Sequence, residues 1–363
     1  RYTRANVLLG SEIPKEKQVK YLSSLGFTPH YSTDSECEFE VPSWRHDCRC
    51  EADLIEEIAR LLGYENIPTP IPAIRRSDEI FAPEDERIAG LRLHLLQSGL
   101  TEIMTMSFSS RGAIASIGLK SEFLNMVNLA NPLSENYAGL RTTLLPGIVE
   151  TASHSYRRGT ENVCIFEIGP VYIPVPEKEL PEEPVHLSIL LMGALSPKHW
   201  SAPARTVDFY DLKGYLESVG DYFGVDFHIE PNAFESFTIG ESATIIFQNS
   251  NIGFMGRLKK EIGEKYDLEK PVYLLELDLT TLLRVPKPVT RFEPIPAFPP
   301  VLRDIALVVN RDVPAGELLR QVRRSGGSHL TDAWVFDVYT GAQIDQSKKS
   351  IAINLRFQSR ERT

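Results

Sequence analysis

Apolar residues in the stretch 52–62 recur at Leu54, Ile55, Ile58, Leu61 and Leu62, the one-sided spacing of an amphipathic helix. Asp53, Glu56 and Glu57 stand three and four positions apart, which puts them together on the opposite face. Asp47 precedes them, in the loop that leads into the helix. The same reading predicts helices over 14–25, 85–98, 209–223 and 314–324. The first of these stops at Gly26, a residue suited to closing a helix. Alternating or compact apolar runs predict strands over 37–41, 102–108, 184–193, 242–249, 251–258, 271–277, 305–309, 330–338 and 350–358. Two proline-rich stretches, 67–72 and 284–300, interrupt the pattern; the second holds six prolines. They divide the 363 residues into three segments.

Charge is divided unevenly among these segments. The net charge is −10. Residues 291–363 carry 11 Lys+Arg against 8 Asp+Glu, a net of +3, while the other 290 residues carry 28 against 41, a net of −13. An acidic bulk argues against nucleic-acid binding by the whole chain, and a mildly basic C-terminal segment leaves room for a local RNA contact. The four cysteines, Cys37, Cys48, Cys50 and Cys164, are too sparse for a disulfide framework and suit a reducing compartment. No apolar run approaches the roughly 18 residues of a membrane-spanning helix. The chain opens at Arg1 without methionine or a signal-peptide pattern, so a piece of a longer protein is expected.

Carboxylates crowded on one helix face suit a hard cation such as magnesium, and they repel one another unless something offsets the charge. A solvated acidic face is the commoner outcome for such a run. Arg60 can pair with Glu56 or Glu57, and the helix dipole favours acids in a first turn. A zinc site from Cys37, His46, Cys48 and Cys50 is disfavoured, because Cys-x-Cys is not the usual ligand spacing. The eight histidines are scattered, with no pair at i, i+4.

The wording of 41–68 adds to this reading. It runs Val-Pro-Ser-Trp-Arg-x-Asp, then Glu-Ala-Asp-Leu-Ile-Glu-Glu-Ile-Ala-Arg, then Leu-Gly-Tyr-Glu-Asn-Ile-Pro. This resembles the metal-bearing helical domain of bacterial phenylalanyl-tRNA synthetase β subunits. The resemblance implies that Asp47, Asp53, Glu56 and Glu57 bind magnesium; His46, Cys48 and Cys50 depart from the family's usual residues. Helix, strand and helix within the first segment also resemble a winged-helix unit.

The middle segment contains Asn131-Pro132-Leu133-Ser134, the run Gly139 to Gly147 and Ile165-Phe166-Glu167-Ile168-Gly169-Pro170. It resembles the synthetase-like core of the same β subunits, which implies an antiparallel class II synthetase-like fold without catalysis. The residues agree: no phosphate-binding Gly-x-x-x-x-Gly-Lys-[Ser/Thr] loop, dinucleotide fingerprint or nucleophile elbow is present, and no catalytic residue is assigned. Arg157 and Arg158 read as part of a turn and strand before Phe166-Glu167.

After 300, Val-x-Arg-Asp and Phe336-Asp337-Val338-Tyr339-x-Gly341 resemble the ferredoxin-fold anticodon-binding domain of these subunits. That fold needs β-α-β-β-α-β, and the sequence supplies the first four elements, so a C-terminally truncated domain is expected. Arg320, Arg323, Arg324, Lys348 and Lys349 are its candidate RNA contacts, although arginines at a helix C-terminus also satisfy the dipole.

The expected fold class is therefore α+β. It combines a winged-helix-like metal-bearing domain over 1–70, a synthetase-like core over 71–290 and a truncated ferredoxin-like domain over 291–363. The resemblance implies phenylalanine–tRNA ligase activity with ATP and Mg2+ in the cytoplasm, as an (αβ)2 assembly with the α subunit and tRNA(Phe). This chain itself is expected to be inactive. The rival readings are a free-standing RNA-binding scaffold and a carboxylate-metal hydrolase; the latter lacks a nucleophile and a basic phosphate clamp.

Overall fold

The computed structural model describes residues 1–71, 82–196, 199–201, 203–287, 291–292, 294–341 and 343–359. It divides into two compact units, Arg1–Ala82 and Pro83–Thr363. No helix among the described residues is long and apolar enough to cross a membrane.

The first unit holds helices Tyr2–Leu9, Lys15–Ser24 and Glu51–Leu62 and a two-stranded antiparallel sheet of Thr28–Ser32 and Cys37–Glu40. Its core is Ala5, Ile13, Leu22, Phe27, Ile55 and Ile58. Buried Gln18 is satisfied by donating its amide N–H to the Ile13 carbonyl at 2.8 Å and to Asn6 Oδ1 at 3.0 Å. Two elements have no counterpart in the sequence reading. The Tyr2–Leu9 helix buries only Tyr2 and Ala5, too few positions to show a period. All five residues of Thr28–Ser32 are exposed, so that strand has no apolar alternation to detect.

The second unit is built on a seven-stranded sheet. Its order is Thr101–Glu102, Val163–Pro170, Val185–Met192, Val272–Asp278, Ser250–Leu258, Phe237–Phe247 and His228–Pro231. The first pairing is parallel and the rest are antiparallel. Helices Pro83–Gln97 and Phe209–Phe223 cover one face, burying Leu91, Leu95, Leu212, Leu216 and Phe223 against Phe166, Ile189 and Leu275. The Leu145–Arg157 helix covers the other, with Ile148 and Ala152 against Ile165, Leu190 and Leu274. Cover on both faces explains why Val185–Met192 is buried from Leu187 onward and does not alternate. Glycine sets one close approach here: a Cβ at Gly253 would fall 2.3 Å from the Glu276 carbonyl oxygen on the neighbouring strand.

Two expectations for this unit need correction. The predicted strand 102–108 is two short pieces, Thr101–Glu102 and Phe108–Ser109, which pair with different partners. Between them the chain turns so that Thr105 meets Glu167, with Oγ1 donating to Oε2 at 2.7 Å. Arg157 ends a helix and Arg158 caps it, with Gly159 at φ +92 making the turn into Val163–Pro170. The sequence predicts no helix over Leu145–Arg157, because its buried positions include Pro146 and Ser153, which blur the apolar period.

Beyond 300 lies a three-stranded antiparallel sheet, ordered Val301–Asn310, Lys348–Phe357, Leu330–Tyr339. Helix Ala315–Ser325 packs Leu318, Leu319 and Val322 on one face, against Ile305, Leu307, Ile351 and Ile353. The other face carries Leu302, Val308 and Trp334, between 40% and 55% exposed. Pro72 and residues 288–290, 293 and 360–363, on which parts of the linker and C-terminal expectations fall, lie outside the described residues.

Candidate functional site

The four acidic residues lie on Glu51–Leu62 and on the loop before it. The helix buries Ile55, Ile58 and Ala59, and its edge also buries Glu57, at 8% exposure, while Glu56 is exposed. Asp53, Glu56 and Glu57 therefore do not form one solvated face.

Each carboxylate has its own environment. Asp53 accepts the backbone N–H groups of Arg49, at 2.7 Å, and Cys50, at 2.9 Å, closing the start of the helix as a capping residue does. Those two donors hold its carboxyl below the usual range. Arg45 is the centre of the remainder. Its Nε and one terminal nitrogen grip Asp47 at 3.0 and 2.6 Å, and the same terminal nitrogen donates to Glu57 Oε1 at 2.7 Å. The other Glu57 oxygen accepts from Arg60 at 2.5 Å. Arg45 lies with its guanidinium 5.5 Å from the Phe27 ring centroid and one terminal nitrogen 3.2 Å from Cys48 Sγ. The Arg45 hydrogen bonds hold the Asp47 and Glu57 carboxyls below their usual values, and the guanidinium is shifted upward in return. Glu56 has no hydrogen-bond or ion-pair partner among the described residues.

The donor chemistry of this set suits a hard cation, but the arrangement does not. Among the described residues no three His, Cys, Asp or Glu side chains gather as metal ligands. The charge repulsion expected of the quartet is offset by Arg45 and Arg60, and Arg45 is the residue that the sequence reading misses. Its position two residues before Asp47 is the available signal. A cleft of about 510 Å³ in this unit is lined by Tyr2, Leu22, Cys37, Phe39, Cys48 and Leu54 among others, and by none of the four acids.

The five basic candidates do not converge either. Arg323 and Arg324 occupy the last turn of Ala315–Ser325, near Ala333, whose carbonyl Arg323 reaches at 3.5 Å. Lys348 and Lys349 pair with Asn310 and Val309 at the opposite end of the sheet. Ala333 pairs with Leu355, six residues along the same strand, roughly 20 Å away at the rise of a strand. Arg320 lies one turn back along the helix.

Polar side chains also gather beneath the seven-stranded sheet. Register aligns Glu167, Ser188 and Glu276 in one row, all at most 2% exposed. Arg141 donates to Glu167 Oε1 at 2.6 Å, to Thr105 at 3.0 Å and to the Pro170 carbonyl at 2.9 Å. Glu276 accepts from Thr143 Oγ1 at 2.5 Å and from the Leu144 N–H at 3.2 Å, and His186 Nδ1 lies 2.7 Å from it. The row is closed on itself.

Three family descriptions match in succession. "tRNA synthetase B5 domain" covers residues 1–64, "Phenylalanyl tRNA synthetase beta chain CLM domain" covers 67–279, and "Ferredoxin-fold anticodon binding domain" covers 296–363. The phenylalanine–tRNA ligase beta subunit of Geobacillus kaustophilus is 36% identical over 362 residues, 99% of this chain and 44% of that one. That of Staphylococcus aureus (strain MRSA252) is 33% identical over 361 residues, 99% and 45% of the two chains. Pyrrolysyl-tRNA synthetase from Desulfitobacterium hafniense overlays with a TM-score of 0.45 at 16% identity, covering 74% of this chain and 88% of that one, too distant to bear on function. The chain thus spans less than half the length of the curated relatives it matches. With its central match alone running from 67 to 279, more than half of its residues, the chain belongs to the phenylalanyl tRNA synthetase beta chain family.

Proposed function

We propose that this chain is the noncatalytic, tRNA-contacting part of a phenylalanine–tRNA ligase β subunit, within an enzyme that joins phenylalanine to its tRNA using ATP. The observation that carries the reading is the closed row under the large sheet. Glu167, Ser188 and Glu276 are buried and bonded to protein neighbours, so none of the three is free to meet a nucleotide. Chemistry then belongs to an α subunit, in an (αβ)2 assembly in the cytoplasm, and the names of the matched relatives support that pairing.

The finer domain assignment follows the same reading: a winged-helix-like unit over 1–70, a class II synthetase-like core over 71–290 and a ferredoxin-fold module over 291–363. Asp47, Asp53, Glu56 and Glu57 of the first unit are the magnesium ligands that the family resemblance names, while in the fold described here Arg45 holds Asp47 and Glu57 and two backbone N–H groups hold Asp53. The tRNA contact belongs to the last module. Its net positive charge supports this, as does its sheet face bearing Leu302, Val308 and Trp334, since exposed aromatics offer stacking surfaces to bases. Arg320, Arg323, Arg324, Lys348 and Lys349 supply the phosphate contacts from the two ends of that sheet.

The test is reconstitution. The chain alone is expected to form no phenylalanyl-adenylate, and robust adenylate formation by it would overturn the reading. In the full enzyme, charge reversal at Arg323, Arg324, Lys348 and Lys349 is expected to weaken tRNA binding while adenylate formation is unchanged. The log-log salt slope should fall by roughly one unit for each phosphate that is no longer neutralised. An unchanged tRNA affinity would assign these residues to a solvated surface.

A further inference from the structure

We propose that the cleft of the first unit is the seat of a third strand, formed by the polypeptide that leads into Arg1. Its volume of about 510 Å³ is that of a site able to hold a ligand or a short chain segment. Leu22, Leu54, Ile55 and Ile58 line it, and all four belong to the apolar cluster at the centre of the unit. The cleft therefore opens onto core side chains, a surface that gains from being covered.

One wall is the strand Cys37–Glu40. That strand pairs with Thr28–Ser32 on one side, and no described strand pairs with the other. Backbone groups alternate sides along a strand. The Glu36 carbonyl turns inward to the hairpin, where it accepts the Thr33 N–H at 2.8 Å. Ser35 turns the opposite way, and its carbonyl accepts the Tyr2 N–H at 3.0 Å. By the same alternation Cys37 and Phe39 hold their N–H and C=O groups outward on the side of Ser35. A free row of this kind is a template for another strand.

The Tyr2–Ser35 bond selects the strand and its register. It is the first rung of an antiparallel ladder, so residues before Tyr2 run against the numbering of Cys37–Glu40. The residue directly before Arg1 then stands opposite Cys37, and the third residue before Arg1 stands opposite Phe39. Three residues reach about 10 Å at roughly 3.3 Å each, enough to cover that stretch. Arg1 fits as the residue between two rungs: it is exposed, and its backbone nitrogen and guanidinium both turn to Glu51 at 2.8 and 2.7 Å. Residues directly opposed in an antiparallel pair share a face. Cys37 and Phe39 are half-buried, whereas Glu38 and Glu40 are exposed. The first and third residues before Arg1 are therefore apolar, and the second faces solvent. The curated relatives are more than twice as long as the region they share with this chain. A segment joined to Arg1 meets the cleft at a high effective concentration, an advantage that a separate peptide lacks.

Two measurements test this. The codons upstream of Arg1 in the intact gene are expected to encode apolar residues at the first and third places before it. A proline or a charged residue at either place overturns the proposal. Hydrogen exchange then compares the 363-residue chain with the same chain carrying about six of its native upstream residues. The amides of Cys37 and Phe39 are expected to exchange about tenfold or more slowly in the longer chain. Those of Glu38 and Glu40, which face Thr28–Ser32, are expected to stay unchanged. Aspartate at the first and third upstream places is expected to return Cys37 and Phe39 to the rates of the 363-residue chain, and aspartate at the second to leave them slow. Equal slowing of all four amides would mean a general gain in stability without a new ladder. Unchanged rates would mean that the cleft belongs to another occupant, and either result overturns the proposal.

Discussion

Replacing Glu167 with alanine is expected to lower the unfolding free energy by about 3–5 kcal/mol, because it strands a buried charge. Arg141 and Glu167 side chains are 6% and 2% exposed and meet at 2.6 Å. Without the carboxylate, the guanidinium keeps only Thr105 and the Pro170 carbonyl, neither of which carries charge. Water cannot take the carboxylate's place cheaply so far inside the sheet. At roughly 2–4 °C per kcal/mol for a unit of this order of size, the midpoint of thermal unfolding should fall by about 10 °C. Denaturant titration should show a lower midpoint at unchanged slope. Replacing both partners, as in Arg141→Met with Glu167→Leu, is expected to recover much of the loss, since exchanging a whole buried pair for apolar residues is often neutral. A Glu167→Ala loss under about 1 kcal/mol would mean that the pair is relaxed by water and that the row is not closed.

The second large effect is expected at Glu276. Its carboxylate holds Thr143, the N–H of Leu144 and His186. Leu144 is the N-cap residue of Leu145–Arg157 and lacks a capping side-chain hydrogen bond, so a carboxylate from a strand distant in sequence stabilises that helix start. Glu276→Ala would leave a buried hydroxyl, a buried backbone N–H and a ring nitrogen without their acceptor. At about 1–3 kcal/mol for each unsatisfied group, and allowing for non-additivity, a loss of about 4 kcal/mol is expected. Glu276→Gln keeps an acceptor in place and should cost about 1–2 kcal/mol. Hydrogen exchange separates local from global effects: amides of Ile148 and Val149 should lose protection first in the alanine variant. Equal destabilisation by alanine and glutamine would indicate that the negative charge, and not the acceptor geometry, is what matters.

These two glutamates share one environment. Both turn toward the protein's own threonines, arginine and histidine.

What the sequence determined by itself was local. The helix Phe209–Phe223 was legible to the residue, because Leu212, Leu216, Val219 and Phe223 keep its period and Gly224 takes the left-handed conformation that ends it. The strands of the last module were legible because one face is buried under a helix and the other is open, so apolar residues alternate. The wording of 41–68 and of 131–172 carried the family, since those runs are long and specific. Tertiary structure decided what no period encodes. Val185–Met192 lost its alternation because both faces are covered, and Thr28–Ser32 had none because neither side is buried. Arg45 became the centre of the acidic site only once the loop folded it across to Glu57, twelve positions away. The Glu276–Thr143 contact joins residues 133 apart. Ion pairs and buried hydrogen bonds of this kind depend on distances of a few ångströms, and sequence spacing fixes such distances only within a helix turn or across a known register.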